Sequence, residues 1–169
     1  MNRVEVSTVV RLPPEEVFEF LLEFRGYASY SEYLRSVRQF GDGGVGTEYA
    51  LRFEWWKLRY TARSEVTEVD SPNRIEWRLT KDLDAAGHWL VEPVETDGER
   101  PDTEVTFVAE YAPGSAEEGI VDLPRFVSLS PVVERVKPKI RDEAERVVRR
   151  VVADLEGEER DVSLRIETG

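Results

Sequence analysis

With 169 residues, this chain has the length of a single domain and can bury a hydrophobic core without covalent cross-links. It contains no cysteine, which excludes disulfides and thiolate metal sites. Its formal net charge of -12 opposes binding to nucleic acid, and no stretch of about 18 residues is apolar enough for stable membrane insertion.

The N-terminal part of the chain predicts one strand followed by two short helices. Apolar residues alternate with others over residues 4–12, and Pro13-Pro14 ends this strand. Apolar side chains then recur at helical spacing over residues 17–24, and Gly26 is predicted to end this helix. A second short helix or helical turn is predicted next, with three tyrosines on one face: Tyr27, Tyr30 and Tyr33.

Six further strands are predicted in the middle of the chain. In four of them apolar side chains alternate with polar ones, which is typical of a strand with one buried face and one solvated face. Turns connect these strands as hairpins, so the sheet should be antiparallel. The predicted ranges are 36–40, 47–55, 57–69, 74–81, 86–94 and 103–111.

A long amphipathic helix is predicted near the C-terminus. Ser130 suits its N-cap, Pro131 suits its first position, and one apolar stripe continues to Leu155. Pro138 lies inside this stripe and should kink the helix or divide it in two. Gly157 suits the position just after the helix end.

The tail over residues 158–169 has two interpretations. Its highly charged start favours a solvated, disordered segment. However, Val162, Leu164 and Ile166 alternate with polar residues, as in a half-buried strand. Such a strand would pair with the edge of its own sheet or with a neighbouring molecule, so a homodimer is one option.

The two faces of the predicted sheet differ in chemistry. One face carries arginines and glutamates, which ion pairs across neighbouring strands explain. The other carries large aromatic residues, covered only by the narrow apolar stripe of the long helix. These rings either fill a dry core or line a cavity for a flat, apolar ligand. Tyrosines at three places on this face favour the cavity.

The predicted ligand site therefore lies between the aromatic face and the long helix. Its lining is predicted to comprise Tyr49, Phe53, Tyr60, Trp77, Trp89, Phe107 and Tyr111. The gate is predicted to consist of Tyr30, Tyr33 and the loop 112–129, and the roof of Val136, Ile140, Ala144 and Val147.

The sequence offers no catalytic constellation. His88, the sole histidine, is either a general base inside the cavity or an outward, half-buried strand residue, and the second interpretation is favoured. One imidazole without neighbouring ligands does not make a metal site. The glycine-rich segment 41–46 predicts a hairpin turn, because no Lys-Ser/Thr and no helix follow it. We therefore assign no catalytic residue, metal or cofactor.

Several segments resemble the START-like (helix-grip, SRPBCC) superfamily. Residues 10–18, a strand running into a Pro-Glu-Glu-Val-Phe helix, resemble its opening. The central strands and the last hairpin are matched by residues 46–49, 63–69, 72–77, 87–93 and 103–107. The resemblance spans residues 2–156 and is closest to the branch with polyketide cyclase/dehydrases and coenzyme Q-binding proteins.

This resemblance implies an α+β helix-grip fold, in which a curved, antiparallel seven-stranded sheet wraps around a long C-terminal helix. Two short helices would follow the first strand. It also implies a ligand-binding domain over residues 1–156. The charged tail over residues 157–169 would then be separate from this domain, with an added strand as one option.

Three functions are compatible with these features. The leading hypothesis is binding or transport of an apolar small molecule (a lipid, an isoprenoid quinone or a polyketide-like compound) without catalysis. The first alternative is a polyketide cyclase or dehydratase that moves protons through a tyrosine, His88 or a buried arginine. The second is a protein-interaction module of the ribosome-associated kind, with a filled interior and an exposed apolar patch.

Composition also predicts an environment. Acidic residues are abundant and lysines are few, as in proteins of salt-loving archaea, so the acidity is interpreted as a halophilic adaptation. Nothing at the N-terminus resembles a secretion signal, and a cytoplasmic location is expected.

Overall fold

The computed structural model describes residues 2–55, 58–81, 84–112 and 129–168, and in the long helix it describes the side chains from Asp142 onward. Its elements are β1 Asn2–Val10, α1 Pro14–Leu22, a 3-10 helix Phe24–Ser29, β2 Leu34–Phe40, β3 Glu48–Trp55, β4 Leu58–Asp70, β5 Arg74–Leu79, β6 Ala85–Val94, β7 Asp102–Tyr111, α2 Leu129–Glu156 and β8 Arg165–Thr168. The strands of this described part form one antiparallel sheet of eight, in the order β2-β3-β4-β5-β6-β7-β1-β8.

The predicted α+β helix-grip architecture is confirmed. The seven predicted strands are all present, and the 28-residue α2 follows them. The sheet nevertheless has eight strands rather than seven, because the tail adds β8. In the described segments, neither α-helix combines the length and the apolar character that a bilayer span requires.

The short helices differ in detail from the prediction. α1 ends at Leu22 rather than at Gly26, because Glu23 leaves the helical region with φ -84° and ψ 69°. The second short helix is a 3-10 helix, and of the three tyrosines it contains only Tyr27. Tyr30 and Tyr33 lie beyond its end, so the predicted helical face shared by the three tyrosines is wrong.

α2 begins differently from the prediction, and of the two predicted effects of Pro138 a division of the helix is excluded. It starts at Leu129, so Ser130 lies inside the helix instead of capping it. It also runs through Pro138 as one helix, since a proline removes a hydrogen bond without forcing a helix to end. At the other end the prediction is confirmed: Gly157 has φ +80° and its N–H bonds to the carbonyl of Ala153 at 2.9 Å.

The hydrophobic core lies between one face of the sheet, here called the inner face, and the helices α1 and α2. α1 contributes Val17, Phe18 and Leu21, and the C-terminal half of α2 contributes Val152. The sheet contributes Val10, Tyr49, Val66, Ile75, Val91 and Val105. Register places these side chains on the same face as the predicted aromatic residues, which therefore face the helices.

The opposite, outer face carries the predicted ion pairs. Some connect neighbouring strands, such as Arg3–Glu110 at 3.2 Å. Others connect alternate residues of one strand, such as Arg74–Glu76 at 2.7 Å and Arg52–Glu54 at 2.9 Å. Residues two apart on a strand share a face, so an arginine reaches along its own strand as easily as across to the next.

The tail is attached to the chain's own sheet. β8 pairs antiparallel with β1, with Val6 opposite Ile166. Before β8, the hydroxyl of Thr8 donates to the carbonyl of Ser163 at 2.8 Å, and Val162 packs against the core. The alternating pattern starts at Val162, but the backbone pairs with β1 only from Arg165 onward, so β8 is shorter than the pattern suggested. The division of the chain into a domain over 1–156 and a tail over 157–169 stays a prediction.

Candidate functional site

Three large rings lie side by side in the middle of the inner face: Trp77, Trp89 and Phe107, here called the aromatic band. Register pairs Trp89 with Phe107, whose ring centroids are 4.7 Å apart. Trp77 stacks on Phe107 at 5.8 Å with 10° between the ring planes. All three side chains are half-buried, whereas Ile75 on the same face is fully buried. The aromatic band therefore leaves apolar surface accessible on the inner face of the sheet.

Gly87 creates the space for this arrangement. It lies opposite Trp77 across β5 and β6. A methyl group at this position would lie 2.6 Å from Cζ2 of Trp77 and 2.1 Å from the carbonyl oxygen of Val108. Only a glycine leaves room for the indole to lie over β6 and reach Phe107.

Other predicted lining residues extend the aromatic surface along the sheet. Phe53 and Tyr60 face each other across β3 and β4, and both are half-buried. Tyr111 is half-buried at the end of β7, opposite Ala85. These side chains are on the inner face, and their contact with a ligand stays a prediction.

Tyr49 has a different environment. It is 1% exposed, and its ring lies 4.6 Å from that of Phe24 in the 3-10 helix. Burial raises the pKa of its hydroxyl. Tyr49 thus belongs to the packed core that supports the site.

The predicted gate residues lie between the 3-10 helix and α2. The Tyr30 hydroxyl bonds to the carboxylate of Asp154, and the Tyr30 carbonyl accepts a hydrogen bond from Arg150 at 2.8 Å. Ser31 Oγ and the Glu32 N–H donate to Oε1 of Glu143 at 3.2 and 3.3 Å. We call this set of contacts between residues 30–32 and α2 the latch. Tyr33 follows it, half-buried at the start of β2.

Glu143 is a polar residue of this region that the sequence analysis missed. It is 6% exposed, and its Oε2 atom lies 3.2 Å from the Arg146 guanidinium. A buried carboxylate is costly unless paired, so Arg146 and Ser31 explain its presence. Glu143 directly precedes Ala144 of the predicted roof. In sequence, a glutamate beside an apolar stripe looks like an ordinary solvated flank, which is why no signal identified it.

Ionisation of the tyrosines here is suppressed. Burial, together with the hydrogen bond to Asp154, raises the pKa of Tyr30 to about 12. Burial also raises the pKa of Tyr27 well above its usual value. Both hydroxyls therefore remain protonated near neutral pH, and each donates its proton within the protein, Tyr27 to the Leu21 carbonyl and Tyr30 to Asp154.

His88 lies on the outer face, as the favoured interpretation predicted. It is next to Trp89 in β6 and pairs in register with Glu76 and Val108. Burial, followed by the positive charge of Arg74, lowers its pKa. The sole histidine is thus separated from the aromatic band by the sheet itself, so the hypothesis of a histidine base inside the cavity is wrong.

Part of the predicted site lies outside the described residues. This applies to the side chains of the predicted roof residues Val136 and Ile140 and to most of the predicted gating loop 112–129. Ala144 is described and is half-buried on α2.

A separate surface groove of about 390 Å³ lies where α1 begins. Five prolines dominate its lining: Pro13, Pro14, Pro72, Pro93 and Pro101. Its charged residues, Glu15 and Arg100, are both exposed. The lining of this groove contains no buried charged group to orient a ligand.

Known proteins share this architecture. The solved structure of the Zhui aromatase/cyclase from Streptomyces sp. R1128 is 14% identical over 92% of this chain and 94% of its own, with a TM-score of 0.65. A START superfamily protein from Mycobacterium smegmatis is 14% identical over 92% and 99%, with a TM-score of 0.62. TTHA0849 from Thermus thermophilus is 18% identical over 92% and 97%, with a TM-score of 0.61.

These identities are low, so the structural likenesses show the fold alone. No curated protein matches the sequence significantly. A family model does match it: the one described as polyketide cyclase/dehydrase and lipid transport aligns with residues 1–152. This match covers most of the chain and confirms the START-like resemblance. The chain therefore belongs to the polyketide cyclase/dehydrase and lipid transport family.

Proposed function

We propose that this protein binds, and thereby transports, an apolar small molecule between the inner face of the sheet and α2. The expected ligands are a lipid, an isoprenoid quinone or a polyketide-like compound with a flat ring system. The single observation that carries this proposal is the half-buried aromatic band of Trp77, Trp89 and Phe107. The family description, which joins cyclases with lipid transport, agrees with such a ligand.

The energetic argument rests on the surface that the band leaves accessible. Rings in a filled core are fully buried, as Tyr49 is in the same sheet. Burying remaining apolar surface against a ligand contributes roughly 25 cal/mol per Å². Flat rings also prefer offset or edge contacts with aromatic side chains, which three adjacent rings provide.

The polar groups of the site favour binding over catalysis. The hydroxyls of Tyr27 and Tyr30 are protonated and already donate within the protein, and His88 is on the other face of the sheet. Glu143 already accepts hydrogen bonds from Ser31 and Glu32. The tyrosine oxygens can still accept a hydrogen bond from a polar end of the ligand, while chemistry would require a group free to take up a proton.

The alternative, a polyketide cyclase or dehydratase, has one observation in its favour. Glu143 is a buried carboxylate on α2, and its Oε2 atom has no hydrogen-bond donor among the described residues besides the ion pair with Arg146. In a cyclase this oxygen would exchange a proton with the substrate. Catalytic turnover lost in Glu143→Gln with ligand affinity retained would favour this alternative.

The proposal is tested by titration with Nile red, a neutral fluorophore, and by its displacement with decylubiquinone. The variant pair Trp89→Ala and His88→Ala changes adjacent residues on opposite faces of β6. Loss of the inner-face ring should raise the Kd for Nile red by about tenfold or more, which corresponds to about 1.4 kcal/mol. His88→Ala should leave the Kd unchanged.

Two results would contradict the proposal. One is the absence of saturable Nile red binding by the unaltered protein, as expected for an interaction module with a filled interior. The other is an equal effect of Trp89→Ala and His88→Ala, which would place the binding somewhere other than the inner face.

A further inference from the structure

The outer face carries a cluster of basic and aromatic side chains at the β2 end of the sheet. Arg38 of β2 and Arg63 of β4 lie on either side of Ala50 in β3, in register. Their guanidinium carbons lie 5.5 and 5.9 Å from the ring centroid of Phe40. We call these residues, Arg38, Phe40, Ala50 and Arg63, the arginine cradle. Phe40 is 43% exposed and Ala50 is 8% exposed, so the small side chain forms a covered floor below the ring and the two cations.

The two arginines of the cradle differ from most arginines of this face. Arg3, Arg52, Arg74 and Arg78 each have a carboxylate partner. In the described part of the chain, neither Arg38 nor Arg63 has one, although the chain contains 35 acidic residues. Two positive charges that converge on one ring repel each other, and an anion between them would relieve this repulsion.

The outward positions at the two ends of the sheet differ in charge. Outward positions of β2, β3 and β4 comprise four arginines and five acidic residues: Arg38, Arg52, Arg59, Arg63, Glu48, Glu54, Glu65, Glu68 and Asp70. Outward positions of β7, β1 and β8 comprise two arginines and five acidic residues: Arg3, Arg165, Glu5, Asp102, Glu104, Glu110 and Glu167. The outer face is therefore less acidic at the β2 end than at the β8 end, in a molecule of net charge -12. Repulsion of an anionic partner is weakest at the β2 end, where the cradle arginines offer it two positive charges.

β2 is also an edge of the sheet. It pairs with β3 on one side, and no strand within the described ranges pairs with its other side. An unpaired strand edge presents N–H and C=O groups to which an extended segment can hydrogen-bond. Arg38 and Phe40 are two residues apart and point to the same face. A strand added beside β2 would place its alternate side chains next to them.

We propose that the β2 edge docks an extended acidic segment of a partner protein. Its backbone pairs with β2, and its carboxylates, at alternate positions, are held by Arg38 and Arg63 beside the Phe40 ring. A second copy of this chain does not fit this edge, because β2 against β2 would bring Arg35 and Arg38 towards the same arginines of the other copy. Charge complementarity therefore selects an acidic partner over self-association.

The experiment uses the full-length protein and a fluorescein-labelled, acetylated peptide of alternating Glu and Val. Fluorescence anisotropy should show saturable binding, and replacement of every Glu by Lys in the peptide should abolish it. Arg63→Glu should weaken binding by about tenfold or more, in the range found for charge pairs at interfaces. The control Arg149→Glu makes the same charge change on an exposed position of α2 and should alter the affinity less than about twofold.

Amide hydrogen exchange identifies the docking edge. Peptide binding should slow exchange in β2, over residues 35–40, and leave the β8 edge unchanged. Binding without protection of β2, equal weakening by Arg63→Glu and Arg149→Glu, or no saturable binding would each overturn the proposal. Protection of β2 that increases with protein concentration in the absence of peptide would also overturn it, because the occupant would then be a second copy. Nile red binding should be the same in Arg63→Glu as in the unaltered protein, so this test is independent of the inner-face site.

Discussion

At the scale of single residues, Gly87 decides where the Trp77 ring can lie. The indole occupies the space that a side chain at Gly87 would fill, and the β7 backbone closes that space from the other side. One missing methyl group thus allows a large ring to cross a strand and stack on Phe107. The accessible aromatic surface of the site depends on this close approach.

Gly87→Ala should therefore destabilise the protein by about 3 kcal/mol, the upper range for overpacking, because the contact with the Val108 carbonyl cannot be relieved by a rotamer change. The free energy of unfolding in urea measures this. Gly26→Ala is the matched control, since a methyl group there has no heavy atom within 4 Å. Equal stability of the two variants would show that the close approach of Trp77 to β6 is not needed.

Burial of Trp77 distinguishes a lining residue from a core residue. Phe18→Ala removes a fully buried ring and should cost about 3–5 kcal/mol. Trp77 is only half-buried, so Trp77→Ala should cost clearly less, about 1–2 kcal/mol, while weakening Nile red binding more than Phe18→Ala does. Urea unfolding and Nile red titration of both variants measure this contrast. A full core penalty with unchanged binding would remove Trp77 from the site.

At the scale of elements, polar contacts tie the gate segment and the tail to α2. The latch joins residues 30–32 to three side chains of α2: Glu143, Arg150 and Asp154. Farther along, Glu156 at the end of α2 is paired with Arg160 at 2.7 Å. Polar contacts of this kind hold an element in place without the large apolar area that would make it immovable, so the gate and the tail are the parts expected to open first.

Weakening the latch should change the rates of ligand exchange more than the affinity. Asp154→Asn replaces the carboxylate that accepts the Tyr30 hydroxyl, and stopped-flow fluorescence should show Nile red entering and leaving about threefold faster with a similar Kd. Asp142→Asn is the control, because Asp142 lies on the same helix and is exposed. Unchanged rates in Asp154→Asn would show that residues 30–32 do not gate the site.

The Glu156–Arg160 ion pair, which connects α2 to the tail, should lose its stabilising effect at acidic pH. The Glu156 side chain is 4% exposed, and hydrogen bonds from Arg160, together with the Arg11 N–H, lower its pKa below the usual value. Its stabilising contribution is therefore complete above the unfolded pKa, about 4.3, and is lost as pH falls through the lower folded value. The thermal midpoint of the unaltered protein should fall over this range, and Glu156→Gln should show a smaller change there. Parallel pH profiles of the two proteins would contradict this role.

At the scale of the whole molecule, the charge is large while the ion pairs are local. The excess acidic side chains, which give a net charge of -12, repel one another in the folded state, and added salt screens this repulsion. The outer-face ion pairs are weakened by the same salt, but each contributes at most about 1 kcal/mol because they are exposed. Relief of the general repulsion should therefore exceed the loss of individual pairs.

If the acidity is a halophilic adaptation, the thermal midpoint should rise steadily from low salt to molar NaCl. Differential scanning calorimetry over this range measures it, and the refolded fraction after cooling checks that the transition is reversible. A protein with the same midpoint at both ends of the range would make the halophilic interpretation wrong.

Alternation along the clearly patterned strands was enough to assign their residues to the two faces of the sheet. The aromatic residues of the inner face were separated in this way from the arginines and glutamates of the outer face. Side-chain direction along a strand is a local property of the backbone, so it can be read from neighbouring residues. The end of α2 could also be predicted from local sequence, because only a residue that tolerates positive φ fits the position of Gly157.

Burial and pairing, in contrast, depend on tertiary contacts. Tyr49 and Trp77 have the same pattern in sequence, but the 3-10 helix covers Tyr49 and leaves Trp77 half-buried. Glu143 is buried because residues 31 and 32 meet α2 there, and the tail forms β8 because β1 offers an open edge. Each outcome depends on elements far away in the chain. Local periodicity states which way a side chain points, whereas only the packed fold determines what it meets.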